Sequence, residues 1–144
     1  MKIRVTSIVI NEDKILLVEQ NVDNLRSWSL PGGGLEEGET LEAGVKRELL
    51  EETGVNITVK ELLYVCDYIR DDRHVVHITF LAEALDAELG ETTPGLDENP
   101  IKSVSYIPVA DIEDFGFSTK FRKLIESNFP NNGSYMGDKS NIGL

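Results

Sequence analysis

Residues 33–55 read GGLEEGETLEAGVKRELLEETGV, and the fold turns on how this stretch is read. Thr40 suits the cap of a helix running from about Leu41 to Thr53, and Gly54 suits its C-terminal stop. The last turns of that helix carry Arg47-Glu48-Leu49-Leu50-Glu51-Glu52. Glu48, Glu51 and Glu52 stand at i, i+3 and i+4, so they share one side and repel one another. They also lie at the negative end of the helix dipole, where anions are disfavoured. Each effect costs only about 0.2–1 kcal/mol, but both act in the same direction. Bound divalent cations are the simplest compensation. The alternative is a solvated acidic face with Lys46 and Arg47 as loose partners.

At about 100° per residue, Leu41, Val45 and Leu49 form the stripe that packs on a sheet. Glu48 and Glu52 fall on or beside that stripe and Glu51 lies to one flank, so the acids continue the inward face. Glu36, Glu37 and Glu39 come from the loop just before the helix and approach the same region. Carboxylates, backbone carbonyls and water are the ligands that Mg²⁺ and Mn²⁺ prefer. Gly32, Gly33 and Gly34 follow Pro31, and such a run commonly ends a strand in a turn. Glycine also lets the backbone approach a metal or a phosphate closely. The run lacks a GK[ST] ending and is not a P-loop.

Outward from this stretch, alternation over residues 3–10 predicts a strand, Asn11–Lys14 a turn, and Lys14–Gln20 a second strand completing a hairpin. Trp28-Ser29-Leu30 is a short strand. Residues 55–69 hold one or two strands, and Asp71–Arg73 form a turn. His74–Ala84 alternates, with Val76, Ile78, Phe80 and Ala82 on one face. Residues 86–100 show no period and read as a long loop. Lys102–Ile107 is a last strand, and Val109–Asp114 and Ser118–Asn128 read as helical. Strands mixed with few helices indicate an α/β (α+β) sandwich with a mixed β-sheet between helices. The reading is a single domain over residues 1–129, followed by a polar C-terminal tail over 130–144 that is frayed or weakly docked.

The chain has 144 residues, a net charge of −12 and 40% hydrophobic residues, which fits one globular domain. No apolar run approaches the ~20 residues needed to span a membrane. The acidity disfavours binding to long nucleic acids, yet bound metal can reverse the sign locally for a small phosphorylated ligand. Cys66 is the only cysteine, so neither an internal disulfide nor a zinc cluster is expected. The start of the chain lacks a signal-peptide pattern, and a cytoplasmic location is the default expectation.

Taken together, the loop and helix resemble the Nudix box of MutT-like hydrolases: Gly, five residues, Glu, seven residues, then Arg-Glu-apolar-any-Glu-Glu-any-Gly-apolar. The matching positions are Gly33, Glu39, Arg47, Glu48, Leu49, Glu51, Glu52, Gly54 and Val55. The lead-in Trp28-Ser29-Leu30-Pro31-Gly32 is similar as well. The resemblance implies a Nudix fold and metal-dependent hydrolysis of a small nucleoside diphosphate derivative, such as a modified nucleoside triphosphate, a nucleotide sugar or an ADP-ribose-like molecule. It implies Mg²⁺ or Mn²⁺ as cofactor. Glu48 and Glu52 would be the main ligands, Glu51 a further ligand or a tuner of the site and its water, and the Gly32 carbonyl another ligand. Arg47 would orient the glutamates through charged hydrogen bonds, and Glu39 would brace the loop.

Relatives often supply a catalytic base from a later loop. Here Glu98 is the best candidate, with Asp97, Glu91 and Glu88 as competitors. On the substrate side, Trp28 is a candidate for stacking on a base or for the core, and Arg73, Arg70 and Lys102 are candidates for meeting phosphates. His74 and His77 fall on opposite faces of a strand, which argues against a shared histidine site. Relatives specific for ADP-ribose carry a proline downstream of the box, where this chain has Asp71. The resemblance also admits a homodimer paired through N-terminal strands. The second functional reading is a non-catalytic nucleotide-binding sensor, although such modules often lose box glutamates and this chain keeps them.

Overall fold

A computed structural model describes residues 1–20, 27–86, 89 and 101–144. The sequence alternation becomes a hairpin of β1 (Lys2–Asn11) and β2 (Lys14–Gln20). Glu12 and Asp13 join them with φ of 52° and 61°, the handedness that a two-residue turn between right-twisted strands requires. β3 (Trp28–Ser29) and β7 (Ile101–Pro108) pair antiparallel with β2. The acidic helix is α1 (Leu41–Thr53).

Residues after the helix form one long strand, β5 (Ile57–Arg70), bent by irregularities between Val59 and Glu61 and between Leu62 and Tyr64. It turns back into β6 (Arg73–Ala84), which runs parallel to β1 with Ile3 opposite Val76 and Val9 opposite Ala82. The result is a mixed sheet in the order β3-β2-β1-β6-β5 with a further strand, β8 (Ser134–Asp138), beyond β5.

Each face of this sheet has its own core. Val5, Val9, Leu16, Ile78, Phe80 and Ala82 pack with Val45 and Leu49 of α1. Ile8, Ile15, Leu17, Tyr64 and Ile107 pack on the other side with Ile112, Phe121 and Ile125. The last three come from a 3₁₀ segment (Val109–Phe115) and from α2 (Thr119–Glu126). This is the expected sheet between helices, with Val76, Ile78, Phe80 and Ala82 all directed to the α1 side. No helix among the described residues is long and apolar enough to cross a membrane.

Three local expectations change. Gly32–Gly34 is not only a turn but a strand, β4, paired antiparallel with β1 through Arg4, Val5 and Thr6. The pairing is so close that a Cβ on Gly32 would lie 2.3 Å from the Val5 carbonyl oxygen. Leu41 is 36% exposed rather than part of the packing stripe. Leu35, from the preceding loop, packs on that core instead, with its Cδ1 2.7 Å from where Gly44 would carry a Cβ.

The third change is the segment after Phe129, which is docked rather than frayed. β8 pairs parallel with β5. Gly133 N–H donates to Leu63 O at 2.6 Å, and Tyr64 Oη donates to Pro130 O at 2.7 Å. The following 3₁₀ segment, Lys139–Ile142, buries Ile142 to 2% exposure. The polar composition of SYMGD hides this, because the open edge of β5 offers backbone groups that pair whatever the side chains.

A docked tail has a thermodynamic consequence. Ile142→Ala should lower unfolding stability by about 2–4 kcal/mol, the usual cost of truncating a buried isoleucine. Urea titration measures this, and a loss below about 0.5 kcal/mol would mean that the tail contributes nothing to the core.

Candidate metal centre

The helix that carries the acids is fixed at both ends. Thr40 Oγ1 accepts from Ala43 N–H at 3.1 Å. Gly54 takes φ of 72° and its N–H donates to Leu50 O at 2.9 Å, the left-handed stop that glycine permits without a Cβ penalty. No basic residue occupies the last turn, so the dipole and the carboxylates stay in conflict there.

Packing of α1 against the sheet draws the acids inward. Glu48 and Glu52 are only 8% and 5% exposed. Gly32 N–H donates to Glu52 Oε1 at 2.6 Å. A Cβ on Gly33 would stand 2.5 Å from the Glu48 carboxylate. The strand of glycines therefore presents bare backbone to the helix, and the carboxylates fill the space that side chains would take.

Arg47 answers much of the remaining negative charge. Its Nε and Nη2 donate to Glu39 at 2.6 and 2.9 Å, a two-pronged pair. Nη1 donates to Glu48 at 2.9 Å and to Glu51 at 3.3 Å. Nη2 also donates to Gly34 O at 3.1 Å, which ties the helix to β4. Glu39 further accepts from Glu36 N–H at 3.0 Å. The Arg47 hydrogen bonds, then that backbone N–H, hold the Glu39 carboxyl at a pKa of about 2. The Arg47 guanidinium is pushed up in turn, first by Glu39. Glu39 is thus a brace for Arg47 and the loop.

One guanidinium shared among Glu39, Glu48 and Glu51 does not cancel three carboxylates, and Glu52 adds a fourth nearby. The donor set of Glu48, Glu51, Glu52 and the Gly32 carbonyl is all oxygen, which fits Mg²⁺ or Mn²⁺. Among the described residues no three Asp, Glu, His or Cys groups close into a metal cage. An open set suits Mg²⁺, which takes one or two carboxylates and completes its shell with water and phosphate oxygens.

The other candidates lie elsewhere. Trp28 stands edge-on to Phe115 with ring centroids 5.3 Å apart and packs against the α2-side core. Arg73 opens β6 opposite Arg70 at the exposed end of the β5–β6 hairpin. The contacts that tie the acids of α1 run to Gly32 and Arg47 instead. Glu98, Asp97, Glu91 and Glu88 fall outside the described residues. His74 bonds to Asp67 at 2.8 Å while His77 meets Tyr68 on the opposite face, so they form no shared site. Two backbone groups complete the cluster, Gly32 N–H as a donor to Glu52 and Gly34 O as an acceptor from Arg47. They carry no side-chain signal beyond the glycine run itself.

Comparison with known proteins places this geometry. The family model described as NUDIX domain matches residues 1–127. A MutT-like protein of Streptomyces ambofaciens is 44% identical over 78 residues, covering 54% of this chain and 49% of that protein. An ADP-ribose pyrophosphatase of Methanocaldococcus jannaschii is 39% identical over 92 residues, covering 60% and 53%. The chain thus spans about half the length of these two curated relatives. A crystal structure of a NUDIX hydrolase from Nitrosomonas europaea superposes with a TM-score of 0.72 at 25% identity, covering 95% of this chain and 79% of that one.

Two outcomes test the centre. Gly33→Ala should displace the Glu48 carboxylate and weaken Mn²⁺ binding at least about tenfold, read by electron paramagnetic resonance of free Mn²⁺. Unchanged affinity would show that the bare strand is not needed. The lowered Glu39 pKa stabilises the fold above its unfolded value near 4.5, and that contribution is lost as pH falls toward about 2. Urea midpoints followed across this range should therefore fall more steeply for the wild type than for Glu39→Gln.

Proposed function

The chain belongs to the Nudix family, and on that premise we propose that it hydrolyses the pyrophosphate bond of a small nucleoside diphosphate derivative with Mg²⁺ or Mn²⁺. The products would be a nucleoside monophosphate and either a second phosphorylated compound or pyrophosphate. The observation that carries this reading is the burial of Glu48 and Glu52 against the side-chain-free strand Gly32–Gly34. Carboxylates are costly to bury even when hydrogen-bonded, and a cation-binding role accounts for retaining them.

Each residue has a task in this reading. Glu48 and Glu52 hold the cation, with the Gly32 carbonyl as a further donor. Glu51, half-exposed at the flank, holds a second position or orients water. Arg47, fixed by Glu39, sets the rotamers of Glu48 and Glu51 through charged hydrogen bonds. A divalent cation bound there neutralises phosphate charge and lowers the pKa of a bound water. Glu98 is the proposed base that takes the proton of the attacking water. Trp28 and Arg73 remain proposed contacts for the substrate.

The similarity to a protein named ADP-ribose pyrophosphatase keeps ADP-ribose-like molecules within the substrate class, together with modified nucleoside triphosphates and nucleotide sugars. Asp71 stands where ADP-ribose-specific relatives carry proline, which favours the other two.

Glu52→Gln should reduce turnover by orders of magnitude while the protein stays folded. The measurement is phosphate-product release from a broad nucleotide panel with Mg²⁺ or Mn²⁺. Wild-type turnover in that variant would remove Glu52 from the ligand set. Nucleotide binding without turnover by the unmodified protein would favour the sensor. Among the later acids, Glu98→Gln should slow the reaction more than Glu91→Gln.

A further inference from the structure

Three side chains that bind metals meet on β5, β6 and β8, and none of them belongs to the hydrolytic site proposed above. Residues paired across strands point to the same side of a sheet. Asp67 pairs with Val76, and Tyr135 with Val65. Val65 and Val76 pack on the α1-side core, so both polar residues share that side. His74, two residues before Val76, joins them there.

The three groups are in direct contact. His74 Nε2 lies 2.8 Å from Asp67 Oδ1, and Tyr135 Oη donates to Asp67 Oδ2. Solvent reaches all of them: Tyr135 is 66% exposed, and the His74 and Asp67 side chains are 41% and 25% exposed. The neighbouring cations turn away. Arg70 and Arg73 pair with each other one position along, and the Arg70 guanidinium lies over Tyr68 on the other face. Tyr135 first, then His74, hold the Asp67 carboxyl below its usual range, while the charge of Asp138 opposes them. Neither donor is a permanent cation, in a chain whose net charge is −12.

The geometry points to a transition-metal site formed by His74, Asp67 and Tyr135, which takes an ion of the Zn²⁺ or Cu²⁺ class and clamps β8 to β5 and β6. One imidazole nitrogen with two oxygens suits these ions, whereas Mg²⁺ prefers oxygen alone. Two ligands about 2.0 Å from an ion and at right angles to it stand about 2.8 Å apart, so the His74–Asp67 spacing needs little change. Three protein ligands leave a further position for water. His74 binds through Nε2 with its proton on Nδ1. Tyr135 binds as the phenolate and releases its proton to solvent, so affinity rises with pH. Tyr135 is far along the chain from Asp67 and His74, so the bound ion holds the docked tail in place.

Neither test uses turnover, so both are independent of the hydrolytic reading. Cu²⁺ is titrated into the intact protein with Mg²⁺ in excess to occupy the acids of α1. A phenolate-to-copper charge-transfer absorption should appear in the visible range, together with nitrogen coupling in the paramagnetic resonance spectrum. Tyr135→Phe should remove the absorption and His74→Gln the nitrogen coupling. Each should weaken Cu²⁺ binding at least about tenfold, the loss usual even for a group that only braces a ligand. Absence of the absorption in the wild type, or wild-type affinity in either variant, overturns the site. Binding that survives Asp67→Asn unchanged marks an adventitious surface histidine and overturns it as well. In the second test Zn²⁺ should raise the urea midpoint of the wild type but not that of Asp67→Asn. An equal rise in both overturns the clamp.

Discussion

The contact between a side-chain-free strand and two buried carboxylates organises this protein. Gly32–Gly34 approaches β1 and α1 so closely that a Cβ on Gly32 would meet the Val5 carbonyl and one on Gly33 the Glu48 carboxylate. The space is taken by Glu48 and Glu52. Burying a carboxylate costs several kcal/mol unless it is paired, so the compensating groups are part of the same constraint. Gly32 N–H serves Glu52 and Arg47 serves Glu48.

Arg47 makes the arrangement rigid rather than neutral. Its donors reach the loop through Glu39, the helix through Glu48 and Glu51, and β4 through the Gly34 carbonyl. A planar guanidinium offers five donors in a fixed fork, so one side chain ties three elements together. The carboxylates stay oriented, and their net negative charge is left for a cation to answer. A lysine, with one rotatable ammonium, would bring the charge without that geometry.

The sheet separates two kinds of surface. On the α1 side, apolar residues of β1 and β6 support the acidic helix. On the other side, the α2 core gives way toward the strand ends to Arg4, His77, Tyr68 and Lys139. The tail from Pro130 completes this second surface, because Lys139 reaches Tyr68 only when β8 is paired with β5. A segment of polar composition thus supplies both core, through Ile142, and charge.

Much of the fold was legible in the residues because its signals are local. Alternation in β1, β2 and β6, the Thr40 cap and the Gly54 stop act within a few residues of themselves, and the box spacing set Glu48, Glu51 and Glu52 on one helix side. Leu41 misled because helical period tells which residues share a face but not how far the sheet extends beneath it. β4 and β8 were hidden because pairing at a sheet edge is made by backbone groups that every residue carries. Local residue pattern specifies the helix, its acids and the class of ion they suit. Long-range pairing and packing bury these acids against bare glycine backbone and set distant Lys2, Arg4, Tyr68 and Lys139 on one face. Such neighbours are set by strand register between segments far apart in the chain, which no local pattern encodes.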